Sequence, residues 1–352
     1  MLMSEELKRN LQTPEVIRRA ALRVIAEEQN GYTSHAGLLR LRELVASCYP
    51  FLKNNPDRVI ITAGSQEALY LALLTLVDEG DEVLLPNPGF VAYPTIVKMA
   101  GGKPIFYRLP ANKDFTFDIE DFRRSLTPQT KVVVCISPSN PTGRVLSSGD
   151  LSSIGQTLKE HGAYLISDEI YRELYYTPDR PESASAFYDR SIVIGGLSKS
   201  MSMTGWRLGW MAGDEAVVRS ALVLHGYVTT CASTISQKAA LASWTDDAEQ
   251  ARADFRRIFA LRRKHLIQQI ESELNLRAIS PEGAFYTMLD IRTFGSSMRV
   301  AEALLSEGVT TVPGGAFGSE SEGYLRVSFC ADLDVLTEGV RRVKEGLRKL
   351  AA

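Results

Sequence analysis

The chain has 352 residues, 45% hydrophobic and 23% charged, an ordinary make-up for a soluble globular protein long enough for two lobes. A formal net charge of -2, with no long block of either sign, gives no footing for nucleic acid or an anionic membrane. No apolar stretch approaches the roughly 20 residues of a membrane helix, and the opening MLMSEELKRNLQ lacks an apolar signal core.

In chain order, the first element is a helix-like stretch over 14–28, with Pro14 suited to a first helical turn. It is expected to pack with the smaller of two lobes. A repeating unit follows, in which a short β-rich apolar run leads into a longer helix-like stretch. The runs are 59–62, 82–85, 104–108, 131–136, 163–167 and 191–195, and amphipathic segments such as 67–77, 91–100 and 151–161 lie between them. Apolar strands alternating with helices predict an α/β fold with a mostly parallel sheet covered on both faces. Several runs end in loops rich in Gly, Pro or Ser, at 63–65, 86–89, 137–143 and 195–196. In open α/β sheets ligands sit beyond the carboxyl ends of the strands, where these loops fall. From about residue 234 to about 273 a charged helical region is long enough to act as a connecting spine. Beyond it, the segment 283–291, a helix near 300–306, short strands near 309–312 and 324–329 and a closing helix from Leu333 form a smaller α/β lobe.

Five stretches hold residues suited to chemistry. Thr62-Ala-Gly-Ser-Gln-Glu-Ala68 ends a strand and opens a helix, the arrangement of a phosphate cradle, although an ordinary helix cap is the competing reading. No strand leads into Gly-x-Gly-x-x-Gly and no Gly-x-x-x-x-Gly-Lys occurs, which argues against a dinucleotide site or a P-loop. In Ser137-Pro-Ser-Asn-Pro-Thr-Gly143 two prolines fix the backbone around Asn140. Asp168 and Tyr171 fall at the end of a buried strand, where an aspartate needs a cationic or hydrogen-bonding partner; a pyridinium nitrogen or a helix cap both qualify. Gly196-Leu-Ser-Lys-Ser-Met-Ser-Met-Thr-Gly-Trp-Arg-Leu-Gly-Trp210 sets Lys199, able to form an imine, eight residues before Arg207, able to hold a phosphate. Arg326, in an otherwise apolar strand, is either a surface arginine or a clamp for a carboxylate. The cysteines Cys48, Cys135, Cys231 and Cys330 are scattered, as are the four histidines; neither set has metal-ligand spacing. Reduced, mostly buried thiols and a cytoplasmic setting are expected.

Taken together and in order, GSQEAL, SPSNPTG, SDEIY, LSKSMSMTGWRLGW and GYLRVSF resemble the class I/II aminotransferases of pyridoxal phosphate (PLP) fold type I. The resemblance runs from about Thr13 to the C-terminus. It implies a large domain, residues 33–255, built on a mostly parallel seven-stranded sheet flanked by helices. Residues 1–32 and 256–352 would make the smaller α/β domain. It further implies a PLP-dependent transaminase, working by a ping-pong mechanism between an α-amino acid and a 2-oxo acid. By the same similarity Lys199 forms the internal aldimine, and Arg207, Gly64, Ser65, Gln66 and Ser198 belong to the phosphate site. Asp168 pairs with the pyridine nitrogen, Asn140 and Tyr171 bond the phenolic oxygen, and Phe90 stacks on the ring. Arg326, with Asn140, binds the substrate carboxylate. Tyr32 reaches the phosphate of a partner subunit, which implies a homodimer. The same constellation also serves lyases, synthases and oxidases, and a non-catalytic PLP-binding protein is a further alternative.

Three departures stand out. MLMSEELKRNLQ replaces the longer arm and Gly-Glu-Pro-like turn of relatives. Gly196 stands where many relatives carry a phosphate-binding serine, leaving Ser198 and Ser200 as the neighbouring hydroxyls. Gln66 stands where some aspartate-specific relatives have lysine, which favours a substrate with an uncharged or aromatic side chain.

Overall fold

A computed structural model describes residues 11–27 and 30–351, so most of the opening dodecapeptide lies outside the described residues. Seven strands, β1 (Val59–Thr62), β2 (Glu82–Asn87), β3 (Lys103–Arg108), β4 (Thr130–Ile136), β5 (Tyr164–Asp168), β6 (Ser191–Gly196) and β7 (Gly209–Gly213), form one sheet in the order β1-β7-β6-β5-β4-β2-β3. Only β7 runs against its neighbours, so the other six strands point the same way and end at one edge. Those six match apolar runs in the sequence. β7 does not, because Gly-Trp-Met-Ala-Gly is short, bounded by glycines, and hidden at the end of the lysine-bearing run.

Both faces of the sheet are covered, with alternate residues of each strand going to opposite layers. Val83, Leu85, Val132, Val134, Ile192 and Ile194 face one core. Leu84, Val133, Cys135, Leu165 and Val193 face the other side. The covering helices are α1 (Glu15–Ala26), α2 (Leu39–Ser47), α3 (Ser65–Leu76), α4 (Ala92–Met99), α5 (Ile119–Ser125), α6 (Ser148–His161) and α7 (Glu215–Val228). α3 is apolar nearly all round, burying Ala68, Leu69, Leu71, Ala72, Leu73 and Leu76, as befits a helix lying between the sheet and other helices. α6 is set by a Ser147/Asp150 capping box and stopped by Gly162.

After α8 (Thr234–Ala240), the long α9 (Asp246–Gln269) is the expected spine. Its Ala248 sits in the core beside β1 and β7, and Phe255, Phe259 and Leu266 belong to a second core. That second core covers a three-stranded antiparallel sheet, β8 (Tyr286–Asp290), β9 (Val312–Pro313) and β10 (Tyr324–Ser328), in the order β8-β10-β9. Helices α10 (Ser297–Ser306) and α11 (Leu333–Ala351) pack on it; α11 buries Leu336, Val340, Val343 and Leu347 along one stripe.

The N-terminal helix departs from expectation. α1 does not join the smaller lobe: its Ile17 and Ala21 are buried with Leu41, Ile61 and Ala239, in the core of the large sheet. Among the described residues of this N-terminal segment, only Leu11, before the helix, packs against the small-lobe core. The stripe Ile17, Ala21, Val24 repeats at helical spacing and matches the small residues of α8, which draws the helix there.

Candidate active site

The common edge of the parallel strands opens onto a cavity of about 620 Å³, walled on its far side by the small sheet. Its lining includes Ser65, Gln66, Phe90, Asn140, Asp168, Tyr171, Ser198, Lys199, Arg207 and Arg326, residues separated by up to 261 positions in sequence and delivered by the first turn of one helix, four loops and two strands.

The first turn of α3 supplies one wall. β1 ends at Thr62, whose Oγ1 donates to the Gly64 carbonyl at 2.9 Å. Gly64 has φ +88°, a left-handed conformation that favours glycine, and an added Cβ there would stand 2.5 Å from Arg207 Nη2. Gly209 permits a second close approach, since a Cβ on it would lie 2.5 Å from the Ser65 amide nitrogen. Arg207 thus reaches across to the turn, with Nη1 donating to the Thr204 carbonyl at 3.0 Å and Nη2 to the Ala63 carbonyl at 3.4 Å. From behind, Glu67 accepts from the Ala63 N–H, from His225 Nδ1 at 3.0 Å and from the Thr229 hydroxyl. Burial pushes its carboxyl up, but these donors outweigh it and hold Glu67 below the usual carboxylate range.

Asp168 ends β5 in register with Ile136 and Ile194 of the flanking strands. It is buried, with Oδ2 accepting from the Tyr93 hydroxyl at 2.8 Å and Oδ1 from the Ile170 N–H at 3.2 Å. Burial raises its pKa; Tyr93, the Ile170 N–H and the Lys199 charge oppose the rise without cancelling it. Lys199 follows β6, its Nζ 5.9 Å from the ring centroids of both Tyr171 and Phe285. Tyr171 donates to the Tyr286 hydroxyl at 3.3 Å, and burial together with Tyr286 pushes its phenol well above the ordinary range.

Arg326 lies mid-strand in β10 with its guanidinium 4.3 Å from the Tyr286 ring centroid and 4.8 Å from that of Phe317. Nη1 donates to Asn140 Oδ1 at 2.8 Å. Phe90 meets Tyr93 edge-on, centroids 5.5 Å apart at 82°.

Tyr32 is not brought to this cavity; it is 89% exposed on the outside of the chain. Gly196 backs onto β7, where a Cβ would stand 3.1 Å from the Leu208 carbonyl oxygen and from Ile170 Cδ1. Of the neighbouring hydroxyls only Ser198 faces the cavity, whereas Ser200 lines a separate crevice. Sequence reasoning missed Tyr93, Tyr286 and Phe317. Tyr93 had a signal, standing one helical turn after Phe90; the other two come from the small lobe with no distinctive spacing. Cys135 and Cys330 are buried, Cys48 and Cys231 half-buried, and all four are free thiols. No group of His, Cys, Asp and Glu among the described residues suits a metal ion.

A lysine, an aspartate and two arginines thus converge on one cavity between the two sheets, and comparison with known proteins gives the family. Residues 4–343 match the family model for aminotransferase class I and II, so the chain belongs to that family and is a transaminase, transferring an amino group between an amino acid and a 2-oxo acid. Among its relatives is a probable N-acetyl-LL-diaminopimelate aminotransferase of Bacillus subtilis, 39% identical over 94% of this chain and 85% of the relative. A probable aspartate/prephenate aminotransferase of Aquifex aeolicus is 33% identical over 96% of this chain and 89% of its own. The crystal structure of an aromatic aminotransferase from Pyrococcus horikoshii superposes with a TM-score of 0.92 at 32% identity, covering 97% of this chain and 94% of that one. No helix among the described residues is long and apolar enough to cross a membrane.

Proposed function

We propose that the cavity holds pyridoxal 5'-phosphate, that Lys199 is the residue bonded to it, and that the enzyme works as a homodimer by ping-pong kinetics. The observation that carries this reading is the convergence of Lys199, Asp168, Arg207 and Arg326 on one cavity. The chemistry of the donor set fits the cofactor. The Gly64 gap leaves Arg207 and the open first turn of α3 facing the same space, which suits a phosphate. Burial disfavours the ionised form of Asp168, so a cationic partner would stabilise it, and a protonated pyridine nitrogen is one.

When bound, PLP supplies an aldehyde for the amino group and a ring that takes up electrons from the substrate's α-carbon. The chain does the rest. Arg207, Ser65, Gln66, Ser198 and the Gly64 backbone would hold the phosphate. Phe90 would cover the ring from the cavity wall. With Oδ1 of Asn140 taken by Arg326, Nδ2 is the end free to donate to the phenolic oxygen, and the Tyr171 hydroxyl would join it by turning its proton away from Tyr286. The remaining N–H groups of Arg326 form a fork for the substrate carboxylate. Lys199 Nζ, flanked by Tyr171 and Phe285, is the base that would take the proton from the substrate's α-carbon and deliver it to the carbon that was the cofactor's aldehyde. Val312 and Phe317 flank Arg326, and Phe90 and Val91 line the same cavity, which supports an uncharged or aromatic substrate side chain.

Support for the dimer comes from the surface. Thr234 Oγ1 donates to the Gly31 carbonyl, so the Tyr32 segment lies against the start of α8, and His35 packs at Gly226 of α7. Tyr32 and Tyr227 are each 89% exposed there, with Val223, Val228 and Leu39 also exposed. Such an apolar flank is suited to a second copy, with Tyr32 reaching its phosphate. Four free thiols suit the reducing cytoplasm.

The test offers purified enzyme, PLP and a panel of amino acids with 2-oxoglutarate as acceptor. A new amino acid formed one-for-one with an oxo acid is expected, with parallel double-reciprocal lines. Lys199→Ala should abolish both the turnover and the visible band of lysine-bound cofactor. Ammonia and pyruvate released without any acceptor would sink the reading in favour of a lyase.

A further inference from the structure

We infer that Tyr93 is a positioning residue of this site: its hydroxyl holds the Asp168 carboxylate ionised and aimed at the ring nitrogen of the cofactor. The inference rests on the reading of Asp168 given above.

The geometry is specific. Tyr93 lies on the first turn of α4, is 1% exposed, and places its hydroxyl 2.8 Å from Asp168 Oδ2. Oδ1 is held separately by the Ile170 N–H at 3.2 Å. Each carboxylate oxygen therefore has one fixed donor, and rotation about the Cβ–Cγ bond breaks both hydrogen bonds. A carboxylate anchored in this way keeps its plane, and with it the direction of the remaining lone pairs. The ring of Tyr93 also meets Phe90 edge-on at 5.5 Å, and Phe90 lines the cavity. One side chain thus ties the wall proposed for the ring face to the carboxylate proposed for the ring nitrogen.

Electrostatics favour the same role. Lys199 attracts the ionised form of Asp168 from the loop after β6, while burial opposes it. Tyr171, after β5, and Tyr107, on β3, are the other titratable groups near this pair, and burial keeps both phenols neutral near pH 7. Tyr93 itself is pushed well above the ordinary phenol range by burial and by Asp168, so it remains a proton donor at every working pH. A hydrogen bond to a buried charge has no water to replace it when removed.

The test is Tyr93→Phe, which keeps the ring and its contact with Phe90 and removes only the hydroxyl. Apoprotein of the full chain is titrated with PLP across a pH series. The dissociation constant is expected to rise about tenfold to a hundredfold, the range for a lost hydrogen bond to a charged group. The pH below which cofactor affinity falls should move upward, because a carboxylate short of one donor takes up a proton more readily. In an Asp168→Asn background the same substitution should add little, since the charge it serves is gone. Wild-type affinity and an unmoved pH profile in Tyr93→Phe, beside a large loss in Asp168→Asn, would overturn the inference alone. So would an equal further loss in the double variant, which would make Tyr93 a packing residue. If Asp168→Asn itself left cofactor affinity and turnover intact, the reading of Asp168 would fall and the inference with it.

Discussion

Arg326 of the small sheet and Asn140 of the loop after β4 are joined by a 2.8 Å hydrogen bond, Nη1 to Oδ1, across the mouth of the cavity. The bond does two jobs at once. It fixes which end of the Asn140 amide faces inward, and it leaves the other N–H groups of the guanidinium for a ligand. Stacking between Tyr286 and Phe317 holds the plane of that fork.

Arg326→Lys keeps the charge and loses the fork. Substrate carboxylate binding should weaken, with kcat/KM falling about tenfold to a hundredfold, mainly through KM. Steady-state kinetics with a good donor amino acid checks this. A KM left at the wild-type value would contradict the clamp.

Much of this arrangement was legible in the sequence, and the reason is physical. Asp168, Lys199 and Asn140 each end or follow a continuous apolar run, and such runs announce buried parallel strands whose ends share an edge. What stayed hidden came from across the chain. Tyr286 and Phe317 belong to ordinary apolar segments of the small lobe, and only the closing of β8 and β10 over the large sheet brings them to Arg326. The strand β7 was masked by its own glycines. α1 was misplaced because an amphipathic stripe states that a face is buried but not against what.

Asp168→Asn separates function from folding. Burial raises this carboxyl above its unfolded pKa, so its favourable contribution to apoprotein stability is full only below the unfolded value. That contribution is lost as pH rises through the folded value. Wherever Asp168 is ionised it is therefore a burden on the apoprotein. The neutral variant should melt no earlier than wild type without cofactor, while turnover falls at least about a hundredfold. Calorimetry of the apoprotein beside a rate assay is the check; a variant that unfolded easily yet kept its rate would contradict the assignment.

Glu67 has the opposite sign. Burial pushes it up, but His225, Thr229 and the Ala63 N–H together depress its folded pKa. Its contribution is present above the unfolded pKa of about 4.3 and is lost as pH falls through the folded value. Glu67→Gln should cost about 1–3 kcal/mol at pH 7. It should also flatten the loss of stability on acidification. Urea unfolding at neutral and acid pH measures both. Because the same carboxylate braces the turn that carries Gly64, cofactor affinity should fall as well.

Tyr32→Phe tests the proposed contribution of one subunit to the other's site. Tyr32 is 89% exposed and lies away from the cavity of its own chain, so removing its hydroxyl disturbs nothing within the protomer. If that hydroxyl reaches a partner's phosphate, cofactor affinity should drop about tenfold while the dimer of 38.9 kDa chains stays intact by light scattering. Tyr227→Asp, on the same exposed flank, should instead shift the mass toward the monomer, because burying a charge in an apolar interface is costly. The two variants then separate oligomerisation from phosphate binding. A monomeric wild-type protein with full activity would refute the shared site, and so would unchanged cofactor affinity in Tyr32→Phe.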